Sequence, residues 1–319
     1  MMKESNYIRK YLTVFFFLLF PVIKISAEIN KITEVFSTRN GQELKMDIYR
    51  SASSGVNPCI IHVFGGGFKE GARDQNYFSS YLKYFANAGF TVISIDYRLG
   101  MKSVDAKGLK FVKALRQAIG FAVEDIYSAT DYIIQNASEL QIDTTRIILS
   151  GSSAGAVSVL HADYEHCNNF DGDTILSDNF KFAGIISFAG AILSNKGVPS
   201  YKKSPSPTLF FHGTQDRLVN YNKIQWFNLG LFGSKSITAQ FRKYKYPYQF
   251  YSIENSGHEV AVNPMESRRE EILYFIQHLI FEKKPWMLDV YFNDINQKPS
   301  LMMSARDFYE SKGSANQKK

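Results

Sequence analysis

Residues 151–155 read Gly-Ser-Ser-Ala-Gly, directly after the apolar run 146–149 and directly before a helix-like run at 156–163. A Gly-x-Ser-x-Gly pentapeptide between a strand and a helix makes a tight elbow, in which bulky flanking side chains would clash and glycines do not. Ser153 then stands at the turn as a candidate nucleophile, and the chain is committed to at least one strand-to-helix unit.

The rest of the chain repeats that unit. Segments 32–36 and 44–49 read as an opening hairpin around Asn40-Gly41, followed by a strand at 59–64 that ends in glycines. Helical periodicity at 77–88 and 122–135 alternates with strands at 90–95 and 146–149. Strands at 182–188, 208–211 and 249–253, a helix over 234–243 and a last helix complete the ladder. That last helix is signalled by Asn263 as cap, Pro264 at its first position and Glu266 in its first turn, with Ile272, Leu273, Ile276 and Ile280 on one face. Strands alternating with helices imply an α/β fold with a mostly parallel central sheet covered by helices on both faces. Residues 101–120 and the aromatic stretch 221–233 fit the ladder poorly and read as insertions after strand ends, where such folds carry function.

A serine nucleophile needs a base, a carboxylate to orient that base, and donors for the oxyanion formed when a carbonyl is attacked. Strand 208–211 leads into His212-Gly-Thr-Gln-Asp216, and strand 249–253 into Asn255-Ser-Gly-His258. Ser153, Asp216 and His258 therefore follow three different strands, in the chain order Ser, Asp, His, and meet at one edge of the sheet. Strand 59–64 runs into Gly65-Gly66-Gly67-Phe68, whose N–H groups turn toward a ligand without interference from a Cβ. Gly66, Gly67 and Ala154, the residue after the nucleophile, are the expected oxyanion donors.

These pieces together resemble an α/β-hydrolase of the carboxylesterase and acetyl-esterase type, similar to the hormone-sensitive-lipase-like esterases. The matching stretches are HVFGGGF at 62–68, DYRL at 96–99, GSSAG at 151–155, HGTQD at 212–216 and GHE at 257–259. The resemblance implies a serine carboxylic ester hydrolase working through an acyl-enzyme, with neither metal nor organic cofactor. It also places the base last, which leaves His212 a structural residue. In this chain Phe64 occupies the position where the family's loop has histidine; His62 lies two residues earlier, on the same strand face but one pleat deeper. With no helical cap ahead of the first strand, the likeness is to a more compact secreted carboxylesterase. The expected substrate is a small carboxylic ester, with an acetyl or aromatic acyl group on a carbohydrate. The alternatives are a serine peptidase or amidase of the same fold and a non-catalytic binding protein.

The 319 residues, 45% apolar and 21% charged, fit one hydrolase domain at 28–283 with an extension at 284–319 that ends in a polar tail. At the N-terminus Lys3, Arg9 and Lys10 precede the apolar block 11–23, and Ser26-Ala27 follow, which is the order of an export signal at 1–27 and predicts a periplasmic or extracellular protein. The 13-residue block is shorter than the roughly 20 residues that cross a bilayer, so no stable membrane span is expected after signal removal. Lys3, Arg9, Lys10 and Lys24 against Glu4 put +3 of the net +7 in that signal, and the remaining +4 does not call for a nucleic-acid partner. Lys102, Lys107, Lys110, Lys113 and Arg116 have the spacing of a solvated helix face.

Cys59 and Cys167 are expected as two buried free thiols; a bridge would close a long loop and stabilise the fold by about 4–5 kcal/mol. His161, Asp163, Glu165 and His166 are expected on the surface, since histidines five apart diverge on a helix. Asp96 and Arg98 are expected to form a buried pair. Trp226, Phe227, Leu229 and Phe232 read equally as core or as the wall of a substrate pocket.

Overall fold

A computed structural model describes residues 28–51, 55–169 and 175–310; the expected export signal at 1–27 and the polar tail at 311–319 lie outside the described residues. The chain opens with the hairpin β1 (Ile29–Arg39) and β2 (Gln42–Ser51), closed by Asn40 and Gly41, both at positive φ. Then come β3 (Asn57–Val63), α1 (Ser79–Asn87), β4 (Thr91–Ile95), α2 (Gly108–Gln135) and the short α3 (Ala137–Leu140). Next are β5 (Ile142–Ser152), α4 (Ala154–Asn168), β6 (Gly184–Phe188), β7 (Ala191–Ser194) and β8 (Thr208–Gly213). A hairpin of β9 (Lys223–Trp226) and β10 (Leu229–Gly233) precedes α5 (Ser234–Tyr244) and β11 (Tyr248–Ile253). Two short helices, α6 (Pro264–Ser267) and α7 (Arg269–Phe275), lead to β12 (Met287–Phe292) and α8 (Ala305–Glu310).

Nine strands form one sheet in the order β1-β2-β4-β3-β5-β6-β8-β11-β12. β1, β2 and β4 pair antiparallel, and every pairing from β4 to β12 is parallel. Every residue of β4, β6, β8 and β11 is buried, which requires cover on both faces. α1 against α6 and α2 against α4 supply much of it. This is the α/β-hydrolase architecture that the motifs implied, and its sheet carries the ends of β3, β5, β8 and β11 along one edge.

Several expectations need correction. The second helix begins at Gly108, not near Ala122, so most of 101–120 is helix rather than an inserted loop. Its extra turns are amphipathic: Lys110, Lys113 and Arg116 face water, while Phe111, Val112 and Leu115 turn toward the cavity described below. The stretch 221–233 is the β9-β10 hairpin, which pairs with β7 as a separate three-stranded sheet. The last helix is broken at Arg268 and ends in a π turn, Ile276–Phe281; Asn263 is itself helical, and its side chain makes no cap. Ile272, Ile276 and Ile280 are buried, as the periodicity predicts.

α4 is buried on nearly all sides, so His161, Asp163 and His166 are interior, not surface, residues. Each has its own partners: His161 Nε2 accepts the Leu193 N–H at 2.9 Å while its Nδ1–H donates to Glu165 at 3.1 Å, the Asp163 carboxylate accepts both N–H and O–H of Ser206, and His166 Nε2–H donates to the Phe180 carbonyl. Among the described residues no group of three or more His, Cys, Asp or Glu side chains is arranged to hold a metal. Cys59 and Cys167 are buried free thiols, and burial pushes both thiols well up from their ordinary range. No helix of the described residues is long and apolar enough to cross a membrane.

Candidate active site

Ser153 follows the last residue of β5 and precedes the first of α4, with φ 51° and ψ −116°. A non-glycine residue in that region stores about 1–3 kcal/mol of strain, which the surrounding structure must hold. Here the Ser153 N–H donates to Phe188 at 2.9 Å, and Ser152 Oγ donates to the Ala261 carbonyl at 2.8 Å. Gly155 allows α4 to lie against β3, since a Cβ there would come within 2.0 Å of the Val63 carbonyl oxygen.

Asp216 lies just past β8, and His258 just past β11, where the chain enters the short 3-10 turn His258–Ala261. Ser153 Oγ is 2.8 Å from His258 Nε2, and His258 Nδ1 is 2.7 Å from Asp216 Oδ2. The carboxylate can only accept, so Nδ1 carries the proton and Nε2 offers its lone pair to the serine hydroxyl. Asp216 Oδ1 accepts the N–H groups of Leu218 and Val219, both at 2.9 Å. Burial opposes its charge, but the imidazoles of His212 and His258 beside it outweigh burial and hold the carboxyl well below its usual range. His212 Nε2–H donates to the Val219 carbonyl at 2.8 Å and lies 3.5 Å from Asp216, so His258 is the stronger partner of the carboxylate.

The glycine loop turns at Gly66 and Gly67, with φ +119° and +62°. The Gly66 carbonyl accepts from Lys69 and Glu70, and Tyr97 Oη donates to the Phe64 carbonyl at 3.1 Å. Ala154 opens the 15-residue α4, whose N-terminal dipole adds a partial positive charge at the same place. Gly66, Gly67, Ala154, Ser153 and His258 line one cavity. Phe64 is buried under the loop against Tyr97, at 4.5 Å between ring centroids. His62 sits deeper, between Phe78 and Tyr81, with Nδ1 3.3 Å from Ser150 Oγ.

The expected Asp96–Arg98 pair does not form. Asp96 binds Arg73 at 2.9 Å, and Arg73 also binds Asp47 at 3.1 Å, pinning the stretch after the glycine loop to β2. Arg98 instead turns to Asp125 and Glu124 on α2. The two side chains are both past the end of β4 and each finds its charge partner on a different neighbouring element.

The cavity has a volume of about 600 Å³ and an almost wholly apolar lining. α2 contributes Phe111, Leu115 and Ile119, and the β9-β10 hairpin contributes Ile224, Trp226 and Leu229. Trp226 is 66% exposed and stands at the mouth, whereas Phe232 is fully buried in the core; the aromatic stretch thus divides between the two readings. Leu301, Met303, Phe308 and Tyr309, from the extension after β12, close the cavity and had no assigned role in the sequence. The available signal was Ser304-Ala-Arg-Asp307, a capping pattern directly ahead of Phe308-Tyr309. Across Tyr77 and Val262, which border both spaces, lies a smaller depression of about 310 Å³ lined by Ser80, Asn263, Glu266 and Ser267.

Residues 46–193 match the BD-FAE family model. The chain is similar to Gut esterase 1 of Caenorhabditis elegans, 25% identical over 130 residues, which are 40% of this chain and 22% of that protein. The matched segment thus spans about a fifth of the relative's length. In structure it is similar to an esterase of Thermogutta terrifontis, Est2, with propionate bound: TM-score 0.59, 21% identity, covering 81% of this chain and 96% of that one. The butyrate-bound form of the same esterase gives TM-score 0.59 at 20% identity, over 81% and 95% of the two chains.

Proposed function

We propose that this chain, whose α/β-hydrolase fold and likeness to carboxylesterases are established, is an exported serine carboxylesterase that cleaves small carboxylic esters through an acyl-enzyme. The observation that carries the reading is the hydrogen-bonded series Asp216, His258, Ser153 at the wall of an apolar cavity. Ser153 Oγ attacks the ester carbonyl while His258 Nε2 takes its proton. The oxyanion that forms faces the N–H groups of Gly66, Gly67 and Ala154. Collapse of the tetrahedral adduct expels the alcohol, which receives the proton from His258. Water, deprotonated in turn by His258, then releases the acid and restores the serine.

The 600 Å³ apolar space suits an alkyl or aromatic acyl group. The neighbouring depression, with hydroxyl, carboxamide and carboxylate groups, suits a polar alcohol such as a carbohydrate. The basic and apolar order of residues 1–27 supports export.

The test is hydrolysis of p-nitrophenyl acetate and butyrate beside an aminoacyl arylamide, together with labelling by a fluorophosphonate. Wild type should cleave the esters and label once, at Ser153, with little turnover of the arylamide. Arylamide cleavage exceeding ester cleavage would overturn the ester reading in favour of a peptidase. Absence of both turnover and label would make the fold a binding scaffold.

A further inference from the structure

The extension after β12 does more than lengthen the sheet. Residues 293–310 run back across the functional edge and end in α8, held at its start by reciprocal Ser304 and Asp307 hydrogen bonds. This strap is fastened at two places that matter. Leu301 takes the His258 N–H on its carbonyl at 3.0 Å and gives its own N–H to the Glu259 carboxylate at 3.0 Å. Tyr309 Oη donates to the Gly67 carbonyl at 3.0 Å, and Phe308 lies so close over Gly67 that a Cβ there would meet its ring at 2.3 Å. Lys107, just ahead of α2, and Phe111 on α2 hold the far end, the first by an ion pair to Glu310 at 3.2 Å and the second by ring contact with Tyr309.

An alcohol leaving Ser153 must collect its proton from His258, so it departs on the imidazole side. That leaves the side of the glycine loop and α2 for the acyl group, and Phe308 stands there against Gly67. We propose that the strap is the wall of the acyl site, and that Phe308 and Met303 set the length of apolar acyl group this enzyme accepts. The inference rests on the esterase reading and specifies its substrates as esters of alkyl or aromatic acids whose chain ends against the strap.

Phe308→Ala deepens the cavity, and Met303→Trp fills it from a position 39% exposed, where a larger side chain is accommodated. The kcat/KM ratio for p-nitrophenyl octanoate over acetate should rise at least tenfold in the first variant and fall at least tenfold in the second. Fluorophosphonate labelling of each variant checks that it is folded with a reactive Ser153, and the octanoate-to-acetate ratio, rather than either absolute rate, is the readout. Arg306→Ala, on the outer side of α8, should leave the ratio unchanged. If both variants hydrolyse acetate and label normally while the ratio does not move, the strap is not the acyl wall, and the esterase reading stands without it. If wild type neither labels nor hydrolyses acetate, the esterase reading has failed and the inference falls with it.

Discussion

His212 brings Nε2 to within 3.5 Å of the Asp216 carboxylate from only four residues away, yet its hydrogen-bonding atoms are committed to Ser234 and Val219. Proximity to the acid therefore does not make it the base. His258, 42 residues beyond Asp216 in sequence, is the imidazole that reaches Ser153.

His258→Ala should lower kcat by about 10⁶-fold, comparable with removal of the nucleophile, because the two act as a unit. His212→Ala should retain activity within about tenfold of wild type and lose about 1–3 kcal/mol of stability from the partners left buried without it. Steady-state kinetics and urea titrations on both variants check this. Inactivation by the His212 change in a protein that remains folded contradicts the assignment.

Ser153→Ala and Ser153→Gly should both abolish turnover, but they should differ in stability. Each removes the hydroxyl, while only glycine is at ease at φ 51°. The glycine variant should be more stable than the alanine variant by about 1 kcal/mol, measured from denaturant midpoints.

The hairpin aromatics should separate cleanly. Phe232→Ala, at a fully buried position, should cost about 3–5 kcal/mol. Trp226→Ala, at 66% exposure, should change stability by less than about 0.5 kcal/mol and raise KM for esters with bulky apolar groups. Melting curves beside a substrate panel read both effects, and equal destabilisation by the two changes would refute the placement of Trp226 at the mouth.

Burial without a charge partner takes the His62 imidazole down to about 3 from an ordinary 6.5. Between those values the unfolded chain holds a proton that the folded chain does not, so stability is lost as pH falls from about 6.5 toward about 3. The slope from this one group approaches about 1.4 kcal/mol per pH unit. Urea midpoints at pH 7, 5 and 4 should fall less steeply in His62→Gln than in wild type. Parallel slopes would place the acid sensitivity elsewhere.

What the sequence disclosed follows from how locally each feature is encoded. Ser153, Asp216 and His258 each lie within five residues of the end of a strand, so their convergence could be read from order alone. The two aromatic readings of 221–233 could not be separated, because a hairpin puts alternate residues on opposite sides and only tertiary packing decides which side is core. The Arg73 and Arg98 ion pairs escaped for a similar reason: these charges find partners 23 to 27 residues away, on other elements. α2 was missed over its first turns because Gly108 and Gly120 interrupt a lysine-rich segment whose apolar face becomes evident only against the cavity. The strap left little trace beyond its capping pattern, since Leu301 and Gly67 take part through backbone groups and the side chains that meet them are 42 and 242 residues away in the chain.

The same fastenings limit how this chain can vary. Gly257 has an ordinary backbone angle, but a Cβ there would come within 2.5 Å of the Leu301 carbonyl oxygen, as one at Gly67 would strike Phe308. Neither glycine can acquire a side chain while the strap stays seated; at Gly67 the positive φ disfavours one in any case, whereas at Gly257 the main obstacle is the strap itself. Gly67 is thus tied sterically to Phe308 and Gly257 to Leu301, so a side chain added at either glycine would press on the C-terminal segment from a distant part of the chain.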